Sequence, residues 1–310
     1  MKVIYGIGQV KKFVKRPIVV IGVFDGLHRG HHTLIRQAIQ RARTLKTKIV
    51  VLTFVPHPIG VLHPKRYLPL LISVHHRIRL MEDMGVDQCI ILKFTKRFSR
   101  LSPQAFVQKY LVKVLNPVEI FVGDDFRFGK NRRGTLETFS KVAARYGFRV
   151  RGIRCVGSQK KKIGSSRIRE LIAKGCLRQA QNLLGRPFSI MGRVIKGYAR
   201  GKKLGYPTAN ISVLHKVVPP QGAYAVRVIV GKKIYFGMAN IGYRPTFRHK
   251  APLNIEVHIF RFKKDLYGRE IIVEFLKRIR GERTFNSLEG LKKQLQKDEK
   301  KIKNFFSAPK

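Results

Sequence analysis

The sequence predicts an α/β domain built on a parallel sheet, followed by a small antiparallel β-barrel domain with a C-terminal helix. Apolar runs alternate with segments of helical periodicity in the first half, which is typical of parallel strands joined by crossover helices. Beyond Leu184 the pattern changes to short strands broken by glycine and proline, a spacing typical of a small barrel. The 310 residues, 44% of them hydrophobic, suffice for two cores. We therefore expect one domain over residues 1–184 and another over 185–310.

The individual elements follow from these patterns. In the first domain, short β-branched runs predict strands, and apolar residues at helical spacing predict the helices between them. The strands are expected at 18–22, 49–54, 89–92, 118–123 and 148–154, and the helices at 31–45, 75–84, 102–115, 135–146 and from about Ser165 onward. In the second domain, strands are expected at 188–195, 223–230, 233–240, 254–262 and 270–277. The closing helix 287–306 is predicted by an apolar stripe of Leu288, Leu291, Leu295, Ile302 and Phe305.

The chain is strongly basic, with 65 Lys and Arg against 17 Asp and Glu and a net charge of +48. Such a field attracts phosphate backbones. The basic residues are spread over the whole chain and accompany no nucleic-acid recognition motif, so we expect nonspecific RNA binding rather than a dedicated site. A dedicated nucleic-acid-binding protein is the alternative, and binding that survives physiological salt would distinguish it.

Composition argues against a membrane or secreted protein. The mean hydropathy is −0.15, and the apolar runs are far shorter than the roughly 18 residues that a spanning helix needs. The first residues lack the long apolar block of a secretory signal. Cys89, Cys155 and Cys176 are widely spaced, which predicts neither a disulfide framework nor a zinc site. We expect a reduced protein in the cytoplasm, and the sequence does not indicate its oligomeric state.

The stretch PIVVIGVFDGLHRGHHTLI, residues 17–35, carries the strongest functional signal. A strand that runs through a glycine-containing turn into a helix makes a phosphate site, because the free N–H groups of the helix point into the turn. Two histidines three residues apart share one face of the first helical turn and can donate to one phosphate. A solvated histidine pair is the alternative, and the position after a strand favours the phosphate site. The residues are Gly22, Phe24 and Asp25 in the turn and His28, Gly30 and His31 at the helix start.

Two further strand ends carry polar residues. His57 stands between two prolines after the strand 49–54, better placed for ligand contact than for core packing, with a proline-stiffened loop as the alternative. After the strand 118–123, Asp125, Phe126 and Arg127 suit a ligand with ring and phosphate parts. The alternative, a polar loop with an Asp cap, leaves Phe126 and Phe128 unexplained.

Hydroxyl groups and arginines begin the helix that follows the basic loop 157–164. Ser165, Ser166, Arg167 and Arg169 at a helix N-terminus suit a polyphosphate, with Ser166 as a candidate N-cap. A capped helix in a basic protein explains these four residues equally well.

The second domain contains a glycine-dense loop, residues 197–210, that leads into an extended segment. Glycines let a backbone approach phosphates closely. Thr208 and Asn210 alternate onto one face, and both offer oxygen to a hard cation such as Mg²⁺. The loop is not a Walker A motif, and a plain connection into a barrel strand is the alternative. The other candidate residues in it are Gly197, Gly201, Gly205 and Pro207.

Glu256 and His258 share one side of the predicted strand 254–262. A carboxylate that faces inward in a chain so poor in acids is a candidate general base. An exposed strand glutamate among lysines is the alternative.

Taken in order, these motifs resemble the bacterial bifunctional riboflavin kinase/FMN adenylyltransferase (FAD synthetase) family from end to end. Each motif is modest alone, and the ordered set is specific. The matching segments are Phe24–His31, Thr53–Pro58, Gly123–Gly129, Ser165–Glu170, Leu184–Pro187, Gly201–Asn210, Asn240–Phe247, Glu256–His258 and Asp265–Gly268.

The resemblance implies a Rossmann-like nucleotidyltransferase domain, a β-barrel kinase domain and two ATP-dependent reactions. In the barrel, riboflavin would be phosphorylated to FMN with Glu256 as base and with Thr208 and Asn210 holding Mg²⁺ and phosphates. In the first domain, FMN would attack the α-phosphate of ATP to give FAD and pyrophosphate, with His28 and His31 as catalytic residues. The other implied contacts are Gly22, Phe24, Asp25, Gly30, Ser165, Ser166, Arg167, Arg169, Gly197, Gly201, Gly205 and Pro207 for ATP, and His57, Asp125, Phe126 and Arg127 for the flavin.

Three positions depart from the family pattern. Val23 replaces a frequent polar residue, the stretch 164–166 lacks one hydroxyl of the usual S-S-T, and Arg261 stands where Asp is common. Because of the missing hydroxyl, an enzyme that has only the kinase activity is an alternative. The H-x-G-H pattern also occurs in class I aminoacyl-tRNA synthetases, but the short length and the absence of a second lysine-rich signature argue against that class.

Overall fold

The computed structural model describes residues 1–10, 16–154, 163–197, 201, 204–212, 216–243 and 253–308. Its internal contacts divide the chain into two compact units. The first comprises Met1–Pro69 and Val74–Ser165, and the second comprises Leu70–Ser73 and Ser166–Lys310. The residues between Ser165 and Gly185 are grouped with the second unit, and the domain boundary at residues 184 and 185 stays a prediction.

The first unit contains the predicted parallel sheet, which over the described residues has six strands in the order β1-β4-β3-β2-β5-β6. All of its pairings are parallel. The edge strand β1 is absent from the sequence prediction, because four residues with a single buried side chain, Ile4, give no clear alternation. The strands are β1 (Lys2–Tyr5), β2 (Ile18–Ile21), β3 (Ile49–Val55), β4 (Gln88–Lys93), β5 (Glu119–Gly123) and β6 (Arg149–Ile153).

Helices make most of the connections in this unit. The predicted helix 102–115 is one helical run whose middle turn, Val107–Val112, is π-helical and buries Val107 and Leu111 in the core. The α-helices are α1 (Arg29–Thr44), α2 (Pro58–Leu62), α3 (Val74–Asp83), α4 (Lys96–Ser99), α5 (Pro103–Phe106), α6 (Lys113–Leu115) and α7 (Leu136–Arg145).

The strand order determines where this unit can bind a ligand. The chain runs from β2 outward to β3 and β4, and it then returns to β5 on the opposite side of β2. The connections that follow β2 and β5 therefore leave the sheet in opposite directions and open a crevice at its carboxyl edge. β2 has a neighbour on each side and is buried along its whole length.

The second unit contains the predicted barrel, preceded by α8 (Ser165–Ala173) and α9 (Leu177–Leu184). Within the described chain the barrel closes in the order β10-β11-β8-β7-β12-β9, with every pairing antiparallel. The short strand β8 was not predicted, because three residues after a glycine-rich loop give no pattern. The strands are β7 (Phe188–Ile195), β8 (Ala209–Ile211), β9 (Gly222–Val230), β10 (Lys233–Tyr243), β11 (Leu253–Ile259) and β12 (Glu270–Arg280).

The segment Leu70–Ser73 belongs to this second unit although it is distant in sequence. Leu70 forms a parallel bridge with Lys216, and its carbonyl accepts from the Val217 N–H at 3.0 Å. Leu71 and Ile72 are buried. Four residues that precede α3 thus help to build the unit that carries the barrel.

The predicted C-terminal helix extends over Leu288–Ser307. Ser287 caps it, since its hydroxyl accepts from the Gly290 N–H at 3.1 Å. The buried face of this helix differs from the predicted apolar stripe at two residues. Leu288, predicted to be buried, is 67% exposed, whereas the acidic residue Asp298 is only 1% exposed and lies on the same face as the buried Ile302.

A buried carboxylate joins three elements of the first unit. Glu119 at the start of β5 is 1% exposed and accepts from Arg41 of α1 at 2.8 Å and from Arg151 of β6. Burial alone would raise the pKa of Glu119, but the hydrogen bonds from the two guanidinium groups outweigh burial and lower the pKa.

We expect Glu119→Gln to destabilise the first unit by about 1–3 kcal/mol, because the two arginines lose their buried anion. Since the folded pKa lies below the unfolded value of about 4.3, this stabilisation is present at pH 7 and is lost as the pH falls through the folded pKa. Hydrogen exchange of the β5 amides against pH measures it.

Glu137→Gln is the matched control, because the Glu137–Lys141 ion pair is exposed on α7. It should leave the exchange of the β5 amides unchanged. Equal effects of the two substitutions would contradict a role for burial of the Glu119 cluster.

Candidate functional site

The turn between β2 and α1 has an unusual backbone. Phe24 and Leu27 have φ angles of 56° and 39°, and Gly26 has 86°. Each such conformation costs a non-glycine residue about 1–3 kcal/mol and persists where the surroundings enforce it. Phe24 and Leu27 are 1% and 0% exposed, so their side chains anchor the turn in the core. A Cβ on Gly22 would come 2.7 Å from the Phe24 ring, which explains the glycine there.

The two predicted histidines meet at the start of α1. His28 is the N-cap, and its Nδ1 accepts from the backbone N–H of His31 at 3.4 Å. The two imidazole rings stack with centroids 3.7 Å apart and 16° between their planes. The Phe24 ring meets His31 edge-on at 5.2 Å. The sequence prediction that both imidazoles share one face of the first helical turn therefore agrees with the geometry.

Burial of the His31 ring is the largest cause that lowers its pKa well below the ordinary imidazole value, and the charges of His28, His32 and Arg77 act in the same direction. Among the described residues, Nδ1 of His31 is buried without a hydrogen-bond partner. At pH 7 His31 is accordingly neutral, and its imidazole is a hydrogen-bond donor rather than a fixed charge.

Arg77 of α3 is a member of this site that the sequence did not reveal. It is 7% exposed, and its Nη1 donates to the Val23 carbonyl, which also accepts from Thr53 Oγ1 at 3.2 Å. In a chain with 65 basic residues, one more arginine in a predicted helix carries no signal. The available signal was position: Arg77 lies one turn before Met81, on the buried face of the helix.

The ends of β3 and β5 carry the predicted flavin contacts. His57 caps α2, with Nδ1 accepting from the Ile59 N–H at 3.2 Å, and it is half-buried. Beyond β5, Asp125 and Arg127 are exposed, and Phe126 is half-buried beside the core. These residues follow strands that neighbour β2, and therefore lie along the same carboxyl edge of the sheet as residues 22–28, the turn that ends at His28 and is called the histidine turn below.

The aromatic rings after β5 have a structural explanation. Phe128 is 9% exposed, and its ring centroid lies 4.7 Å from that of Phe139. The Phe126 ring stacks on Phe128 at 5.5 Å. The interpretation that a ligand is needed to explain both rings is wrong for Phe128, which is a core residue. The contact of Phe126 with a flavin stays a prediction.

Ser165 is the last residue of the first unit and contacts the turn before α1, because its hydroxyl donates to the Asp25 carbonyl at 2.8 Å. The helix α8 begins at Ser165, so Ser166 is the second residue of its first turn and not the predicted N-cap. Arg167 is exposed and pairs with Glu170 at 2.7 Å. Ser166, Arg167 and Arg169 fall in the second unit, and their contact with phosphates stays a prediction.

The barrel contains a cavity of about 290 Å³ with Glu256 in its wall. Glu256 on β11 stands opposite Asn210 of β8 and Asn240 of β10 in the register of the sheet. The buried Asn254 donates from Nδ2 to Asn210 Oδ1 at 2.7 Å and to Glu256 Oε1 at 3.1 Å. The amide thus fixes both oxygens, while the Glu256 carboxylate remains exposed to the cavity. The apolar part of the wall includes Leu204, Tyr206, Met238, Phe285, Leu291 and Leu295.

The glycine-rich segment lies against this cavity. A Cβ on Gly197 would come 2.1 Å from Asn210 Nδ2, and one on Gly201 would come 2.2 Å from the Tyr206 carbonyl. Gly205 has a φ of 84°. Glycine at these positions is therefore explained by close backbone approach and by the turn itself. Residues 198–200 and 202–203 of the predicted loop, and 244–247 of the family motif, lie outside the described residues.

A second cavity of about 300 Å³ lies beside the first, and Thr208 lines both. Its wall includes Pro207, Lys263, Lys264 and Tyr267. The Pro207 carbonyl accepts from His258 Nδ1 at 2.8 Å, which holds the segment before Thr208 on β11.

The wall of the first cavity includes an ion pair that the sequence did not predict. Arg280 Nε donates to Asp298 Oδ2 at 2.8 Å, and Gln294 Nε2 donates to Asp298 Oδ1 at the same distance. Asp298 is 1% exposed. The sequence feature that could have revealed this pair is the acidic residue Asp298, which lies within the predicted apolar stripe three residues after Leu295. The pair joins the C-terminal helix to β12.

The predicted metal ligands are oxygen donors. Thr208 and Asn210 both line the first cavity, and a hydroxyl with an amide oxygen suits Mg²⁺ when phosphate oxygens complete its coordination. Across the part of the chain that the structure describes, no group of three or more His, Cys, Asp or Glu side chains is placed to hold a metal ion.

The fold and the two sites define a Rossmann-like unit with paired histidines after a strand of its parallel sheet, and a barrel unit with a glutamate in its cavity. The family model described as FAD synthetase matches residues 10–167, and the one described as riboflavin kinase matches residues 184–306. The chain belongs to the bifunctional riboflavin kinase/FMN adenylyltransferase family, which confirms the resemblance found in the sequence.

Relatives match this chain over nearly its whole length. The bifunctional riboflavin kinase/FMN adenylyltransferase of Buchnera aphidicola subsp. Schizaphis graminum is 37% identical over 99% of this chain and 99% of its own. The Escherichia coli K12 protein of the same name is 36% identical over 100% of this chain and 99% of its own.

A solved structure of a macrolide-efflux protein from Streptococcus pneumoniae matches with a TM-score of 0.85 and 34% identity, over 98% of this chain and 99% of that one. In the described residues of the present chain, no helix has the length and apolar character that crossing a membrane requires.

We expect the His31 imidazole to titrate well below pH 6.5, because burial of the ring, with smaller contributions from His28, His32 and Arg77, disfavours its protonation. Unfolded His31 takes up a proton near pH 6.5 while folded His31 does not, so the unit loses stability as the pH falls below that value. Titration of the histidine Cε1–H resonances by NMR measures the pKa, with His31→Gln assigning the signal. A pKa of 6.5 or above would contradict the buried, stacked geometry.

Proposed function

We propose that this chain makes FAD in two steps, phosphorylating riboflavin to FMN in its barrel and adenylylating FMN in its α/β domain. The observation that carries the proposal is the separation of two sites: the stacked histidines lie in one unit, and the cavity with Glu256 lies in the other. We assign adenylyl transfer to residues 1–184 and the kinase to residues 185–310.

In the kinase step, the ribityl 5′-hydroxyl attacks the γ-phosphorus of ATP, the bond from that phosphorus to ADP breaks, and Glu256 takes the hydroxyl proton. The apolar and aromatic wall of the first cavity suits a flavin ring. Lys263 and Lys264 make the second cavity suitable for the nucleotide, with Thr208 where the two meet. The segment that includes Gly197, Gly201, Gly205 and Pro207 would approach the phosphates.

We infer that Thr208 and Asn210 hold Mg²⁺ together with the phosphates. A bound Mg²⁺ neutralises phosphate charge and so favours attack by the hydroxyl. The Asn254 amide keeps Asn210 Oδ1 in place, and Gly197 leaves room for the Asn210 side chain. The protein's own contribution is therefore to fix the position of two oxygen ligands.

In the adenylyl step, a phosphate oxygen of FMN attacks the α-phosphorus of ATP, and the bond to the leaving pyrophosphate breaks. His28 and the neutral His31 imidazole donate to phosphate oxygens as charge develops there, and the N-terminal amides of α1 add donors. Gly22, Phe24 and Asp25 in the turn before α1, and Gly30 in the first turn of that helix, would contact ATP. Ser165, Ser166, Arg167 and Arg169 would contact the triphosphate, and His57, Asp125, Phe126 and Arg127 would surround the flavin.

The remaining partners follow from composition. We place the enzyme in the cytoplasm on the basis of its sparse, widely spaced cysteines. The net charge of +48 gives nonspecific attraction to nucleic acids, which added salt should abolish.

The division of labour predicts opposite effects of two substitutions. His31→Ala should reduce FAD formation from FMN and ATP by at least about 100-fold and leave FMN formation intact, because it removes a donor to the transition state. Glu256→Gln should do the reverse, since it removes the base for the 5′-hydroxyl. Product analysis of riboflavin, ATP and Mg²⁺ mixtures separates FMN from FAD.

Each activity is the folding control for the other variant. Loss of both activities in a folded His31→Ala or Glu256→Gln protein would contradict two independent sites. A wild-type chain that makes FMN but never FAD would show a kinase-only enzyme.

Gly197→Ala should raise the Mg²⁺ concentration needed for half-maximal FMN formation by about 10-fold or more, because the new methyl group displaces Asn210. FAD formation from FMN, measured in the same sample, should not change. An unaltered Mg²⁺ dependence of the kinase would exclude Asn210 from the metal site.

A further inference from the structure

Arg77 is a buried charged residue to which the two proposed reactions give no role. It lies on the inner face of α3 with His76 and Met81, and it is 7% exposed. Burying a guanidinium group costs free energy unless hydrogen bonds and an opposite charge compensate. The groups around Arg77 therefore show what its burial achieves.

The guanidinium contacts Val23, near the start of the histidine turn. Its Nη1 donates to the Val23 carbonyl, and Thr53 Oγ1 donates to the same oxygen at 3.2 Å. Asp25, two residues further along, supplies the opposite charge: burial lowers the pKa of Arg77, and the Asp25 carboxylate acts against that shift. One backbone oxygen thus receives a donor from β3 and another from α3.

The carbonyl of Val23 is where the strained part of the turn begins. The next residue, Phe24, has a φ of 56°, and Leu27 has a φ of 39° immediately before His28. A turn with two such residues needs external contacts to hold it. The side chains of Phe24 and Leu27 supply the apolar contacts, and Arg77 with Thr53 supplies the polar ones.

We propose that Arg77 is a positioning residue for adenylyl transfer, which fixes the Val23 carbonyl and thereby the turn that presents His28 and His31. The inference rests on the proposed function of the first unit. An arginine suits this task better than a lysine, because its planar fork can direct one N–H at the carbonyl while the charge stays beside Asp25.

The charge of Arg77 also acts on His31. The groups that face the His31 ring are His28 and His32 from its own helix, Phe24 from the turn and Arg77 from α3, with Asp25 beside Arg77. After burial and the two histidines, Arg77 is the remaining cause that lowers the His31 pKa. Removing the guanidinium should therefore raise that pKa. Because opening the packing would raise it as well, the comparison that isolates the charge is Arg77→Lys, which keeps the positive charge and should keep the pKa low.

The test uses the full chain with four substitutions. Arg77→Met removes the donor and the charge, Arg77→Lys keeps the charge, and Thr53→Val removes only the second donor to Val23. Arg36→Met is the matched control, because it removes an arginine from an exposed position on α1. The measurements are kcat for FAD formation from FMN and ATP, kcat for FMN formation, and the His31 pKa by NMR.

We expect Arg77→Met to lower kcat for FAD formation by about 10- to 100-fold, since small misplacements of catalytic groups have effects of that size. FMN formation should stay unchanged, and the His31 pKa should rise. Arg77→Lys should restore part of the rate and keep the His31 pKa low. Thr53→Val should lower the FAD rate less than Arg77→Met does, without moving the His31 pKa, and Arg36→Met should match the wild type.

The proposal is overturned if Arg77→Met keeps FAD formation within twofold of the wild type, or if FAD and FMN formation fall together. It is also overturned if the rate falls while the His31 pKa stays in place, because Arg77 would then act only on folding. Failure of the proposed function is distinguishable: a wild-type chain that forms no FAD refutes the reaction, while the His31 titration still reports whether Arg77 acts on this turn.

Discussion

The double pairing of β2 is the constraint on which the first unit depends. β2 hydrogen-bonds to β3 on one side and β5 on the other, and its four residues are fully buried. A strand fixed on both edges gives the residues after it a defined starting point. The turn that follows can then hold a backbone conformation that an isolated peptide would not adopt, and the two imidazoles stack where the sheet opens.

In the barrel, side-chain amides hold the polar groups of the site in place, whereas in the first unit a strained turn does so. Asn254, on β11 two residues before Glu256, bridges from that carboxylate to Asn210 on the neighbouring strand. The antiparallel pairing makes this bridge possible, because alternate residues of one strand and the residues paired with them on the next strand lie on the same face of the sheet. Glycines at 197 and 201 then bring the backbone close to that face. Both units thus place polar groups by exploiting the ends and faces of regular strands.

The sequence predicts the helices and strands that have long periodic patterns. It does not predict short strands, or polar contacts between residues that are distant in the sequence. The parallel sheet, the barrel and the closing helix follow from periodicity, whereas β1 and β8, with four and three residues, do not. The histidine pair and Glu256 stand out because their neighbours in sequence form the motif. Arg77 and Asp298 do not, because their partners, Val23 and Arg280, lie 54 and 18 residues away. Phe128 was misjudged since its core partner, Phe139, follows a turn that the pattern does not reveal.

The segment Leu70–Ser73 has a consequence for how these two enzymes are joined in one gene. Its residues belong to the barrel-bearing unit, although they are encoded inside the stretch that builds the sheet. A recombination event that cut the gene after residue 184 would give a barrel domain that lacks Leu70–Ser73. The remaining α/β domain would keep these four residues without the unit against which they pack. The barrel-bearing unit is therefore not encoded by one continuous stretch of the sequence.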